Sequence, residues 1–439
     1  MTIAFLSLFF GLITGPYPVE LSVNGPVAAV EILVDGQTAA RLNGPPWKTR
    51  IDFGRDLLPH HIVARALDAS GQEIGRAQAW ANLPNSLTKV EILTEGGPGA
   101  SPQAARIVWT HLKGAKPMSM SLSFDGLPVA LDAEGRATLP AHDLKTLHVL
   151  TAEVHFSPLE IIRRDLAYGG EFGSEVSTEL TAIPLRLRRG KTPPADTLAG
   201  WFASAGQPLS VIAVEEGPAQ LLVVRSPDVN QIVGKLGRSG VRANSPRRQR
   251  LAEGQVTRFL FPRPLRFEAS GEVTDLFDIS PGFTVPMGGF VQLLETVVRR
   301  PQPGEKAVPG QRIADAVAVA GLAAINENRR RAVLLVISGD EKDGSLQDAA
   351  TVRKFLEAIR VPLFVWCLKK PAAGSPLASW GECKDVKSAQ ILTLAVEEIR
   401  RELDSQRIVL VDGRHLPQSI ALTPAAGPVE LVGGQEGRR

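Results

Sequence analysis

The stretch RAVLLVISGDEKDGS, Arg331 to Ser345, runs an apolar strand straight into carboxylates, glycines and hydroxyls. Strands that end this way present oxygen donors to a small hard cation, which wants an octahedron of oxygens with few carboxylates and several waters. Asp340 and Asp343 are the residues here that could do such chemistry. Elsewhere little could react. The chain has no GxSxG, no HExxH, no phosphate-binding Walker loop and no GxGxxG after a strand. The GGPGAS run at Gly96 to Ser101 leads into a strand, so it offers an anion no helix N-terminus. The seven histidines are scattered: His60 and His61 start a strand, and His148 and His155 alternate along another. The carboxylate pairs Glu215-Glu216 and Glu397-Glu398 fall on solvated loop and helix faces. Two cysteines, Cys367 and Cys383, occur without a CxxC or a Cys/His cluster, which argues against zinc. In an oxidising compartment they could bridge, closing a loop of roughly 15 residues worth about 3 kcal/mol; otherwise they are two unrelated thiols.

These residues must be positioned by a chain of 439 residues, enough for two to four domains. With 44% hydrophobic and 22% charged residues the composition is that of an ordered globular protein. A net charge of +3 argues against a dedicated nucleic-acid binder, which needs a concentrated basic face. The short basic runs at Pro246 to Arg250 and Asn328 to Arg331 sit at element boundaries, where cations suit loops and helix ends. The first residues, MTIAFLSLFFGLIT, are too short to span a bilayer but have the length of a signal-peptide core, so residues 1–15 read as a signal segment for export to a periplasm or the outside. A buried N-terminal strand is the alternative. No other run is long enough for a membrane span.

Period-two alternation dominates the first half. VAAVEILVDGQTAARL, Val27 to Leu42, is strand, Asp-Gly turn, strand, and a second turn follows at Asp68 to Gly71. Residues 16–84 read as an Ig-like β-sandwich. Short strands separated by turn residues, with an Asp-Gly hairpin at Asp125-Gly126, extend the pattern into a second sandwich over 85–191. After KTPPA the grammar changes. QRIADAVAVAGLAAI, SLQDAATVRKFLEAI and DVKSAQILTLAVEEIRREL have helical spacing and alternate with the apolar runs AVLLVIS, PLFVWCL and RIVLVDG. Such alternation predicts a parallel sheet covered by helices on both faces, an α/β doubly wound domain of Rossmann type over 205–425. Residues 426–439 read as a loose tail.

The segments AVLLVISGDEKDGS, VPLFVWCL and AVEEIRRELDSQRIVLVDG make this region resemble a von Willebrand factor type A (VWA) domain. The whole chain resembles the VWFA-related family described from acidobacteria, exported proteins that combine Ig-like β modules with a VWA-like domain. The resemblance implies one Mg²⁺ at the carboxyl ends of the strands, held by three loops, and a shell completed by a carboxylate from a protein partner. This chain departs from the pattern in each loop. In VVRSPDVNQ, Arg225 stands where the family places an aspartate, followed by Ser226 and Asp228. In PGQRIADAV, Asp315 and Ala316 fit, while Gln311 or Arg312 takes the place of a threonine. In the third loop Ser338-Gly339-Asp340 inverts the usual order.

A guanidinium in a cation site is repulsive and keeps its charge. Arg225 could instead pair with Asp340 or Asp343. The expectation is therefore a degenerate site with no metal and no other cofactor in a non-enzymatic protein-interaction or adhesion protein. Its partner is another protein, not nucleic acid, bound through Arg225, Ser226, Asp228, Gln311, Arg312, Asp340 and Asp343 where the strand-end loops converge. The alternative is a Mg²⁺-dependent binder or enzyme with a rearranged site, in which Ser226 and Asp340 are the first ligands. The sequence leaves the oligomeric state open.

Overall fold

A computed structural model of the chain describes residues 2–7, 9, 11–84, 88–95, 101–111, 116–156, 161–170, 180–187, 192–226, 255–269, 272–280, 282–284, 306–307 and 310–433. Alternation in the first eighty residues yields β1 (Thr2–Phe5), β2 (Pro16–Asn24), β3 (Ala29–Val34), β4 (Gln37–Leu42), β5 (Lys48–Asp52), β6 (His60–Leu67) and β7 (Glu73–Ala81). They form two antiparallel sheets, β1-β2-β5 and β4-β3-β6-β7. Val19, Leu21, Val30, Ile32, Ile51 and Ile62 fill the space between them. The β3–β4 turn places Asp35 at φ 51° and Gly36 at φ 83°, the paired left-handed conformation that matches the twist of a two-residue hairpin. The described residues of the segment expected to be a signal belong to this module. β1 pairs with β2, from Thr2 opposite Asn24 to Phe5 opposite Leu21, and Phe9 and Ile13 are buried in the core.

The second sandwich contains β8 (Thr88–Glu95), β9 (Ala104–His111), β10 (Ser119–Phe124), β11 (Leu127–Val129), β12 (Arg136–Thr138), β13 (Leu147–His155) and β14 (Ile161–Gly169). The sheets are β11-β10-β13-β14 and β12-β9-β8. Along β13 every second residue is buried, so Leu150, Ala152 and Val154 enter the core. The next strand, β15 (Leu180–Leu187), does not join this sandwich as its place in the sequence had suggested.

The remainder corrects the expected fold class. Its strands are β16 (Phe202–Ser204), β17 (Gln207–Pro208), β18 (Val211–Glu215), β19 (Ala219–Arg225), β20 (Val256–Leu260), β21 (Leu265–Ala269), β22 (Glu272–Leu276), β23 (Phe283–Thr284), β24 (Lys306–Ala307), β25 (Arg330–Ile337), β26 (Leu363–Cys367), β27 (Lys384–Asp385), β28 (Gln406–Asp412), β29 (Ile420–Leu422) and β30 (Val429–Leu431). Three α-helices lie among the described residues: α1 (Ile313–Ile325), α2 (Ala349–Ala358) and α3 (Ala389–Ser405). Among the described residues β-sheet predominates over helix, most strand pairings are antiparallel, and no doubly wound VWA domain is evident. A parallel layer, β20-β19-β25-β26-β27 with β23 antiparallel at its edge, is one sheet among several.

The strand expected to close the doubly wound sheet, β28, leaves it and pairs antiparallel with β15 and β18. The physical reason lies in what an apolar run encodes. Val409 and Val411 enter one buried cluster, while Ile408 and Leu410 enter another. Burial on both faces requires the run VLV whatever the direction of the neighbouring strands. The expected loose tail also contributes a strand, since β30 pairs with β15 from Val429 opposite Leu187 to Leu431 opposite Leu185.

Both sandwiches are fastened to this region. Leu57, Trp80 and Leu83 of the first share a buried cluster with α1 and β25, and the Arg414 guanidinium lies 4.6 Å from the Trp80 ring centroid. The second is joined by charge. Arg329 Nη2 reaches Glu153 at 2.6 Å and its Nε reaches Glu327 at 3.3 Å. Glu327 also pairs with Arg258, and Asn326 Nδ2 donates to the Ile161 carbonyl at 3.1 Å. A hydrogen bond from His155, and then the charge and hydrogen bond of Arg329, hold the Glu153 carboxyl at about 2, against 4.5 for a free glutamate.

A depressed carboxylate stabilises the fold fully above its unfolded value, and that contribution is lost as pH falls from about 4.5 towards about 2. Replacing Glu153 with Gln should therefore cost on the order of 1–3 kcal/mol at pH 7. The gap from the native protein should close as the pH approaches 2. Urea unfolding of both proteins at pH 7 and pH 3 measures it, and a gap independent of pH would contradict the pairing.

Candidate functional site

The strand-end region is built by β19, β25, the loop that follows each, and the start of α1. Arg225, the last residue of β19, pairs in register with Val336 of β25 and is buried at 2% exposure. Burial pushes its pKa down to about 10, so the guanidinium stays charged at neutral pH. Ser226 is buried beside it, its N–H donating to the Val336 carbonyl at 3.1 Å. Asp228 lies outside the described residues.

Two of the carboxylates that follow β25, Glu341 and Asp343, face backbone N–H groups. Glu341 turns back on its own loop and accepts from the N–H groups of Ser338 and Gly339, the latter at 2.9 Å. The loop passes so close to the next one that a Cβ on Gly339 would stand 2.0 Å from the Lys369 carbonyl, and its φ is 104°. Only glycine fits there.

Asp343 caps α1 from outside the helix. Its Oδ1 accepts from the N–H of Ile313 at 2.9 Å and its Oδ2 from that of Ala314 at 3.2 Å. Oδ1 also accepts from the Ser345 N–H at 3.0 Å and the Ser345 hydroxyl at 2.6 Å. Arg312, the residue before the helix, makes no side-chain cap of its own. The first turn of a helix leaves N–H groups without intrahelical acceptors and carries partial positive charge. A carboxylate from a neighbouring loop meets both needs.

Asp315 completes the arrangement from within the helix. Buried at 1% exposure, it accepts from the N–H groups of Leu346 at 2.9 Å and Gln347 at 3.0 Å, and from Arg312 Nε at 2.7 Å. Arg312 also lies over the Phe277 ring, 5.7 Å from its centroid. Gln311 is buried and its carbonyl accepts from the Gly344 N–H at 2.8 Å. Asp340 points outward to Lys369, with Nζ–Oδ distances of 2.8 and 2.9 Å between side chains that are each 64% exposed.

Of the seven residues expected to form a partner face, Arg225, Ser226 and Gln311 are buried, Arg312 and Asp343 are engaged in the loop, and Asp340 is presented to solvent with Lys369. The pairing expected between Arg225 and Asp340 or Asp343 gives way to these partners. Sequence reasoning missed Glu341, Lys369 and Leu346. No local pattern marks Glu341, because its bonds to the Ser338 and Gly339 N–H groups depend on the path of the loop. Leu346 is 81% exposed, although the bonds of Asp315 and Asp343 fix its backbone on either side. Among the described residues no group of three or more His, Cys, Asp or Glu could hold a metal ion, and no helix is long and apolar enough to cross a membrane. Cys367 and Cys383 form a disulfide.

No protein-family model matches the chain, and no curated protein matches it. Solved structures share β modules at low similarity. The fibronectin(III)-like modules of Clostridium thermocellum CbhA are 12% identical, with 18% of this chain and 93% of theirs covered at a TM-score of 0.17. The central fibronectin-III array of RIM-binding protein is 13% identical over 46% of this chain and 81% of its own, at 0.21. A beta-glycosidase from Bacteroides vulgatus is 14% identical over 38% and 24%, also at 0.21. Scores of this size carry no argument about activity.

If Asp343 is a cap, Asp343→Ala should destabilise the protein by about 1–2 kcal/mol. Asp340→Ala, which removes only an exposed pair, should leave the thermal midpoint unchanged. Differential scanning calorimetry of the two variants checks this, and the reverse order would show that Asp340 is the structural group.

Proposed function

We propose that this chain is a non-enzymatic protein-interaction protein that works in a periplasm or outside the cell. One observation carries the reading. Glu341 and Asp343 after β25, together with Asp315 of α1, bond to backbone N–H groups, and the bonds of Asp315 to Leu346 and of Asp343 to Ser345 fix the backbone where the apolar side chain of Leu346 stands in solvent. Acid, base and nucleophile are not assembled there, while a fixed backbone with a protruding apolar residue is what a partner surface needs. Such a residue loses little entropy on binding and gains burial. Leu346, Asp340 and Lys369 are the groups offered to a protein partner.

The Cys367–Cys383 disulfide supports an oxidising compartment, because such bonds are kept reduced in most cytosols. Residues 2–13 must be retained after export if β1, Phe9 and Ile13 are to keep their places. In the exported protein, both cysteines should resist alkylation until a reductant is added. Two free thiols in protein taken directly from cells would contradict the assignment.

Interaction without metal is tested by melting the protein in millimolar Mg²⁺ and in EDTA. A ion that binds only the folded state must raise the midpoint, so equal midpoints are expected. A rise in Mg²⁺ that Asp340→Ala abolishes would establish the metal-dependent reading instead. For the surface itself, immobilised native protein and Leu346→Asp should be compared for recovery of envelope proteins. Loss of recovery with Leu346→Asp is expected; equal recovery would remove the strand-end surface from the account.

A further inference from the structure

A cleft lies at the far edge of the parallel layer, lined by residues other than those of the strand-end surface. β26 pairs with β25 along its whole length, but β27 covers it only at Trp366 and Cys367. The direction of its remaining backbone groups follows from the hydrogen bonds around it. The Pro362 carbonyl accepts from Val333, and the Leu368 N–H donates to Ile337, so residues of even number face β25. The Cys367 carbonyl accepts from Val386 on the other side, so residues of odd number face outward. Successive residues of a strand alternate in this way. Leu363 and Val365 therefore turn their backbone hydrogen-bonding groups away from β25; the Val365 carbonyl meets the start of β27 through the Trp366–Lys384 pairing, while the Leu363 groups and the Val365 N–H lie beyond the β27 ladder.

This edge is the floor of a cleft of about 960 Å³ whose walls come from α2 and α3. Leu363 and Phe364 are half-buried there and Val365 is buried. Within the cleft, Lys384 pairs with Glu398, and Arg186 pairs with Glu402 at 2.7 Å, so these charges cancel. Two donors are left over on the side where the 3-10 turn at Pro376–Trp380 ends. Trp380 lines the cleft at 2% exposure, and its buried indole Nε1–H has no acceptor among the described residues. The Arg353 guanidinium lies against Gly381, 2.7 Å from the position of a Cβ there, and pairs with no carboxylate among the described residues. Glu357, Glu382 and Arg401 also line the cleft, the Arg401 Nε bonding the Glu397 carbonyl; beside the 3-10 turn, Arg353 and Trp380 are the donors that an acidic side chain would meet.

We propose that the β26 edge accepts an extended peptide from a partner protein as an added strand, with an aspartate or glutamate of that peptide directed to Arg353 and Trp380. An open strand edge inside a cleft is a template for an incoming backbone, and the walls limit it to one chain, unlike an edge exposed on a flat surface. The main chain supplies the pairing with Leu363 and Val365, and the acidic side chain supplies selectivity.

The test uses the full chain and an acetylated, amidated eight-residue peptide of alternating valine and threonine with one central glutamate. Amide hydrogen exchange is read at Leu363 and Val365, with Phe364, which faces β25, as the internal reference. At millimolar peptide at least tenfold slower exchange is expected at Leu363 and Val365. The same peptide N-methylated on alternate residues should give no protection, and a lysine in place of the glutamate should weaken binding at least tenfold. Val365→Pro removes one outward N–H without removing a donor to β25 and should abolish protection at Leu363, the outward amide that remains, whereas Leu346→Asp should leave protection intact at both positions. Should Val365→Pro fail to fold, the N-methylated peptide makes the same comparison on the native protein. No protection, or equal protection by the N-methylated peptide, overturns the strand addition. Equal binding of the lysine peptide overturns its acidic preference. Loss of binding with Leu346→Asp would show that the peptide sits on the strand-end surface instead.

Discussion

Backbone N–H groups without partners are costly to bury, and the region between β25 and α1 brings several of them together. Two of them open α1, where hydrogen bonding within the helix has not begun, and others lie in the loop that returns towards α2. Asp315 and Asp343 accept from both sets. Hydrogen bonds to a charged group are worth about 1.5–3 kcal/mol each, and a buried donor left without one loses a comparable amount. A cation recruited to Asp343 would have to compete with the three N–H groups and one hydroxyl already bound to it. The loop looks in sequence like a metal loop because the same carboxylates suit both tasks. In the fold they hold the backbone.

That arrangement has consequences at longer range. Because α1 is fixed at its start, Ala316, Val317 and Ala320 stay against Leu335 and Ile337, in the cluster that also receives Leu57, Trp80 and Leu83 of the first sandwich. Gln347, whose N–H is bound by Asp315, extends its side chain to Thr14 of the first sandwich at 3.3 Å. The second sandwich is joined beyond the other end of α1, where Asn326 and Arg329 meet Ile161 and Glu153. One helix therefore stands between both modules, and the loop that caps it also offers Leu346 to solvent.

How much of this the sequence disclosed depends on how local each feature is. The hairpins at Asp35-Gly36 and Asp125-Gly126 were legible because two adjacent residues dictate a left-handed turn. The two sandwiches were legible in their alternation, although β15 was assigned to the wrong sheet. The fold class of the C-terminal half was misread because continuous apolar runs report burial on two faces and are silent on strand direction. β28 is such a run, with an antiparallel neighbour on each side. At the site, Arg225 was correctly placed at a strand end, but its burial depends on distant packing. Asp343 is visible in the sequence as an oxygen ligand, but the helix N–H groups about thirty residues earlier that donate to it are not. Cys367 and Cys383 were left open between a bridge and two thiols, since only the packing of β26 against the following loop brings them together.

The central claim is that Asp315 of α1 and Asp343 after β25 bind backbone and not metal. Amide exchange at Ile313, Ala314, Leu346 and Gln347 tests it most directly, measured in metal-free buffer and again with millimolar Mg²⁺. The account predicts slow exchange at all four in both buffers, with Asp343→Ala releasing Ile313 and Ala314 while Leu346 and Gln347 stay protected by Asp315. Fast exchange in metal-free buffer that becomes slow only when Mg²⁺ is added would contradict it.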